Sequence, residues 1–253
     1  MPRAIKRCRA FCTVFLLAAV GGLTGCASSS SAWMESIQGM WRGDVSAPPA
    51  AVTDLPQVRV QLEKTQFFME LVRTERSSSQ DEPVQVWMSP AGELMRLSES
   101  GRIVGSSGSW YVDWRNSKTS PIPPWNDLIQ RTQRGATVQY VRTRDVQPGG
   151  LIGLREVITV QRIPAPHSLP GNVLWLQEQS VLQDSSGRWA RLAANDSQFL
   201  ALARNLPPAQ FALQQQDNGR WQWVYSRQCL AVNVCMTFTP WPAVAADNKG
   251  AHS

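Results

Sequence analysis

Two histidines in 253 residues leave little material for metal or nucleophilic chemistry. His167 sits in the proline-rich stretch Pro164-Ala165-Pro166-His167 and reads as a surface residue, and neither it nor His252 has ligand-like neighbours. No C-x-x-C pair occurs, so no zinc site assembles from the usual spacings. A Gly-rich phosphate loop and a βαβ alternation are also missing, which removes the nucleotide-binding α/β classes. Gly105-Ser106-Ser107-Gly108-Ser109 puts serines between glycines, but it joins two strand-like segments. A nucleophile elbow runs from strand to helix, so this stretch reads as a loop. Asp113, Asp127, Asp145 and Asp184 show no recognisable pairing, and a carboxylate-only site is the one catalytic arrangement left open. These absences point to a protein that is not an enzyme and that holds no cofactor and no metal.

Acidic residues are absent from the first 25 positions, where Arg3, Lys6, Arg7 and Arg9 precede an apolar run over residues 11–23. That run is roughly a dozen residues long, against the about 20 needed to cross a bilayer. A basic start, a short apolar stretch and a small-residue cleavage site describe a secretory signal peptide. The stretch ends in Leu23-Thr24-Gly25-Cys26, which resembles the bacterial lipobox. The resemblance implies cleavage before Cys26 and a diacylglyceryl group, with further acylation such as palmitate, on its thiol. Two or three chains suffice for a stable anchor without a membrane-spanning helix. Ala27 follows the cysteine, not the aspartate associated with inner-membrane retention. The expected location is therefore the outer membrane, facing the periplasm.

Removal of the signal also changes the charge. Four of the 25 lysines and arginines precede Cys26, leaving 21 against 19 acidic residues in place of the whole chain's net +6. The remaining basic residues are scattered, with no stripe interleaved with aromatics, so nucleic acid is not an expected partner.

Along the mature chain, residues 27–32 are a serine-rich tether, residues 33–41 fit a short helix and residues 47–56 a proline-rich connector. The period then changes to two. Gln57-Val58-Arg59-Val60-Gln61-Leu62-Glu63 alternates polar and apolar residues, the mark of a half-buried strand. Further strands are expected at 67–74, 84–88, 93–97, 102–104, 136–144, 154–163, 173–182, 189–192, 211–216, 221–227 and 230–239. Short helices are expected at 126–134 and 196–204. The expected fold is mainly β, an antiparallel sheet curved into a sandwich or a half-barrel or barrel with a few short helices. It divides into a signal peptide (1–25), a lipidated tether and helix (26–50), a single β domain (51–240) and a flexible tail (241–253).

Eleven tryptophans beside three tyrosines admit two readings. Trp110, Trp114 and Trp125 cluster near a loop and could stack on sugar rings, or they fill the core, where each large aromatic buries 150–250 Å². The core reading is preferred. Cys8 and Cys12 leave with the signal and Cys26 carries lipid, so only Cys229 and Cys235 remain, in an oxidising space. Leu230, Val232, Val234, Met236 and Phe238 share one parity, as in a continuous strand, which would hold the two cysteines about 20 Å apart. A disulfide needs Cα atoms within about 7 Å. Either the strand is continuous with free thiols, or it turns near Val232-Asn233 and the cysteines bridge. The bridged hairpin is preferred, because Asn233 tolerates turn conformations.

Two further stretches point to a family. Glu99-Ser100-Gly101-Arg102-Ile103-Val104 runs into Gly105-Ser106-Ser107-Gly108, and Asp217-Asn218-Gly219 leads to Ser226-Arg227-Gln228, Val234 to Phe238 and Pro240. Together with the lipobox they resemble the exopolysaccharide and group 4 capsule lipoproteins of the YjbF/GfcB type. Cys229, Cys235 and residues 174–205 depart from that pattern. The resemblance implies a β-rich periplasmic lipoprotein, an accessory factor in exopolysaccharide or capsule production or export. Its partner would be an outer-membrane polysaccharide-secretion component or the glycan itself. It also implies a glycine-rich, turn-like equivalent of the Cys229–Cys235 stretch. The alternative is a half-barrel carrier of lipid or lipoprotein, of the lipoprotein-localisation type, whose apolar concavity would hold acyl chains.

Overall fold

The computed structural model describes residues 55–76, 82–108, 112–148, 150–183 and 203–241, all within the compact unit Val45–Ser253. The lipobox residues Leu23, Thr24, Gly25 and Cys26, the helix expected at 33–41, Trp110, the strand expected at 189–192 and the tail from 242 lie outside the described residues. So does the helix expected at 196–204, except for its last two positions.

Twelve strands are described: β1 Gln57–Leu62, β2 Thr65–Glu75, β3 Val84–Met88, β4 Leu94–Ser98, β5 Ile103–Ser107, β6 Asp113–Thr119, β7 Val138–Gln147, β8 Leu151–Ile163, β9 Val173–Gln183, β10 Ala209–Gln215, β11 Trp221–Ala231 and β12 Val234–Trp241. One helix, α1 Trp125–Gln133, separates β6 from β7. All pairings are antiparallel, and the sheet order is β5-β4-β3-β2-β1-β12-β11-β10-β9-β8-β7-β6. Each strand thus neighbours its sequence neighbour and β1 pairs with β12, an up-and-down meander curled into a nearly closed barrel. Only β5 and β6 lack a shared ladder. Side chains stitch that seam at one end, where the Trp114 N–H donates to Ser106 Oγ (3.0 Å) and the Gly108 N–H to Asp113 Oδ2 (3.3 Å).

Period-two patterning sets the walls. Val58 and Val60 on β1, Phe67 and Met69 on β2, Leu154, Ile158 and Val160 on β8, and Met236 and Phe238 on β12 are buried. Their neighbours Arg59, Gln61, Gln66, Arg155, Thr159 and Thr237 are half-buried or exposed. The outer wall is mixed, with Val72, Met88, Ile152 and Val181 exposed among these polar positions. Eight strands already make an interior that side chains can fill, so twelve would leave a wider lumen. Here opposite walls meet instead. Gln228 on β11 accepts from the Ile103 N–H of β5 (2.9 Å) and donates to Gly101 O (2.7 Å), and Trp114 Nε1 of β6 donates to Leu230 O of β11 (2.9 Å). The barrel is flattened by these cross-lumen bonds.

Two corrections to the sequence reading have clear physical causes. β6 is not foreseen because Asp-Trp-Arg-Asn-Ser-Lys-Thr holds one apolar residue, and a bulge between Arg115 and Lys118 breaks its alternation so that Trp114 and Ser117 are both buried. Gly105, Ser106 and Ser107 belong to strand β5, not to a loop. Of the two arrangements open for residues 229–239, the preferred bridged hairpin forms, because β11 ends at Ala231 and β12 starts at Val234. Cys229 and Cys235 face each other across it and form a disulfide, with their Cα atoms 3.9 Å apart.

The β4–β5 turn depends on one glycine. Gly101 has φ +81°, and a Cβ there would stand 2.5 Å from Cδ2 of the Trp223 indole, whose Nε1 donates to Glu99 O (3.1 Å). Gly219 has a similar φ of +76° with nothing nearby. Gly219→Ala should therefore cost only the left-handed backbone penalty, about 1–2 kcal/mol. Gly101→Ala should cost about 2–4 kcal/mol, because it adds a clash with a packed ring. Urea denaturation of both variants checks this, and equal losses would refute the packing role of Gly101.

Candidate functional site

Inward positions on the strands should be apolar, and most are. Several of those on β7, β8 and β9 are not. On β7, Val138, Tyr140, Arg142, Arg144 and Val146 share a parity; on β8, Glu156 lies between Leu154 and Ile158; on β9, Glu178 lies between Leu176 and Ser180. Arg144 is 0% exposed, Glu156 1%, Glu178 6% and Arg102, just before β5, 5%. Charge at an inward parity was the signal available in the sequence, and it was missed because each strand was read by its apolar members. Charges so deeply buried require paired, hydrogen-bonded partners.

The partners form two groups. Arg144 Nε and Nη2 reach Glu156 Oε2 (3.1 Å) and Oε1 (2.8 Å), Arg142 Nε donates to Glu156 Oε2 (2.8 Å), and Arg144 Nη2 also donates to Ala203 O (3.0 Å). Arg102 Nε donates to Glu178 Oε1 (2.9 Å), with Nη2 2.8 Å from the same oxygen, and the Tyr140 hydroxyl donates to Glu178 Oε2 (2.8 Å). Aromatic faces complete the cage. Arg142 and Arg144 lie 4.5 and 4.4 Å from the Trp114 ring, and Arg102 lies 3.8 Å from the Trp125 ring. Such contacts contribute about 2 kcal/mol when desolvated.

Helix α1 positions Trp125. Its Trp125, Leu128 and Ile129 occupy one buried face, Asp127 and Arg131 complement the helix dipole at its two ends, and Asn126 Oδ1 accepts the Trp221 N–H (3.0 Å). Trp114 and Trp125 are 2% and 6% exposed, so neither indole stands free for a sugar. His167 is exposed on its loop and packs edge-on against Trp175 (4.7 Å) and Tyr225 (5.0 Å). Asp113 serves the seam, Asp145 accepts the Gly153 N–H (2.7 Å), Asp127 is exposed on α1, and Asp184 lies outside the described residues.

Protonation follows from this geometry. Burial alone would raise the Glu156 carboxyl, but Arg142 and Arg144 overcome it and hold the group at about 2. Burial and Glu178 push the Tyr140 phenol well above its usual range, so it remains a donor at neutral pH. Burial works to lower both Arg102 and Arg142; Glu178 holds the first above its ordinary value and Glu156 the second. Burial does lower Arg144. Glu156 is therefore ionised at neutral pH and paired with both guanidinium groups. Among the described residues, no group of three His, Cys, Asp or Glu could hold a metal ion.

Beside the cluster lies a cavity of about 240 Å³. Its walls come from the start of β5 (Ile103, Val104), from the end of β6 and the residues after it (Thr119, Ile122), and from Tyr140, Arg142, Glu178 and Gln228 inside. It thus lies beside the unladdered seam, with Trp114 also in its wall.

The Glu156 carboxyl falls from 4.5 in the unfolded chain to about 2 in the fold. Its stabilising contribution is present above about 4.5 and lost as pH falls towards 2, a change of about 3 kcal/mol. Urea unfolding measured from pH 6 to pH 2.5 should show stability falling steeply across that window, and a flat profile would refute the coupling. No family model, no curated protein and no solved structure matches the chain.

Proposed function

We infer that this protein is a lipoprotein anchored through Cys26 to the periplasmic face of the outer membrane, where it acts as a non-enzymatic accessory factor in exopolysaccharide or capsule production. One observation carries the reading. The two stretches that resemble the YjbF/GfcB type, far apart in sequence, meet in space: the Ile103 N–H donates to Gln228 Oε1 and Gln228 Nε2 donates to Gly101 O, with Arg102, Ile103 and Gln228 all lining one cavity. Residues singled out by the resemblance thus build the cavity wall and its support.

The filled interior favours this reading over a lipid carrier. A carrier needs a continuous apolar space for acyl chains, whereas Trp114, Trp125, three arginines and two glutamates occupy this lumen.

Cys26→Ser removes the thiol that accepts the diacylglyceryl group. The variant should leave the outer-membrane fraction or accumulate as uncleaved precursor. Mature-size protein still fractionating with outer membrane would overturn the anchor.

Deletion of the gene should lower secreted or capsular polysaccharide severalfold with lipoprotein sorting intact. Unchanged polysaccharide with mislocalised lipoproteins would instead favour the carrier.

A further inference from the structure

We propose that the seam cavity binds one carboxylate-bearing sugar residue, with the Arg142 guanidinium as the anion clamp and the Ser180 and Thr119 hydroxyls as its polar contacts. The acidic-sugar assignment rests on the polysaccharide reading; the anion site itself rests on geometry.

Hydrogen-bond bookkeeping identifies Arg142. Inside the barrel, Arg102, Arg142 and Arg144 face Glu156 and Glu178, and Glu82 at the cavity wall acts on Arg102 as a third carboxylate. Arg102 bonds to Glu178 and Ser100; Arg144 bonds to Glu156 and Ala203 O and does not line the cavity, although its Nη1 is buried without a partner among the described residues. Arg142 uses Nε alone for its hydrogen bond, stacks on Trp114 and lines the cavity, so its two Nη groups have no hydrogen-bond partner among the described residues. Glu82 also lines the cavity, but the Ser100 N–H and hydroxyl occupy both its oxygens. A planar fork with free donors matches a carboxylate in bidentate geometry.

Two hydroxyls add to the clamp. Ser180 is 7% exposed, lines the cavity, and its side chain makes no hydrogen bond among the described residues. Thr119 lies directly across from Arg142 in the β6–β7 pairing, and its hydroxyl is likewise unbonded. Neither hydroxyl is sealed from solvent, so both stand open to a ligand in the cavity. Ile103, Val104, Ile122 and Leu206 supply the apolar wall that the C–H face of a sugar ring would cover. A volume of about 240 Å³ is below that of pockets for drug-sized ligands. It takes a single ring, not a length of polymer.

Titration calorimetry on the full-length chain in detergent at neutral pH, with D-glucuronate, D-glucose, acetate and inorganic phosphate, tests the assignment. Glucuronate should bind at least about tenfold more tightly than glucose, acetate or phosphate, and Arg142→Gln should weaken it by about tenfold or more. Equal binding of glucose, equal binding of acetate, tighter binding of phosphate, or no binding at about 10 mM glucuronate each overturns the proposal. Because Arg142 also pairs with Glu156, Ser180→Val provides a variant that leaves the ion cluster intact. It should weaken glucuronate severalfold, and an unchanged affinity overturns the proposal whether or not Arg142→Gln folds. Absent glucuronate binding with polysaccharide output still dependent on the gene overturns this inference alone. Tight glucuronate binding with output unchanged on deletion overturns the functional reading alone.

Discussion

A charge placed inside a protein must bring its partner with it, and most of what distinguishes this barrel follows from that constraint. Long side chains enter a lumen wider than that of an eight-stranded barrel, and the longest fully buried one is Arg144. Arg144 requires Glu156, which in turn takes Arg142, and the two guanidinium groups lie against Trp114. Across the lumen Arg102 requires Glu178, which accepts from Tyr140, while Trp125 lies against Arg102. Removing any one acid would leave a cation buried without compensation, the costliest kind of defect in a core.

The same bonds explain why the barrel can leave its seam without a ladder. An edge strand normally exposes unpaired N–H and C=O groups. Here the Ile103 N–H of β5 finds Gln228 on the opposite wall, and the Trp114 N–H of β6 finds Ser106 Oγ. Cross-lumen contacts tie opposite walls and satisfy part of the edge, seam bonds from Trp114 and Gly108 join β5 to β6, and the cavity lies beside them. Closure, core and cavity are thus one arrangement of the same side chains.

Recognition by such a site would be electrostatic and geometric. Glu156 is locked by two arginines and held ionised. What faces the cavity is one guanidinium fork, unbonded hydroxyls and an apolar wall. On the proposal above, that combination would select a small anion with hydroxyl groups.

Much of the architecture was legible in the residues themselves. Strict alternation in Gln57–Leu62 and the β-branched, aromatic runs that follow specify strands by local period, which is why eleven of the twelve described strands were anticipated. Two spare cysteines six residues apart already required a turn between them if they were to bridge. β6 escaped because a polar sequence becomes a strand only when neighbours supply its pairing, and its bulge removes the period that would have marked it. Arg142, Arg144, Glu156 and Glu178 escaped for a related reason. Parity tells which way a side chain points, but not that strands 12 or more residues apart will bring an acid opposite each base. The sequence by itself determined the strands, the helix face and the hairpin, because these depend on neighbours along the chain. Tertiary structure alone decided the closure, the ion pairs and the cavity, because burial and distance exist only once the walls have met.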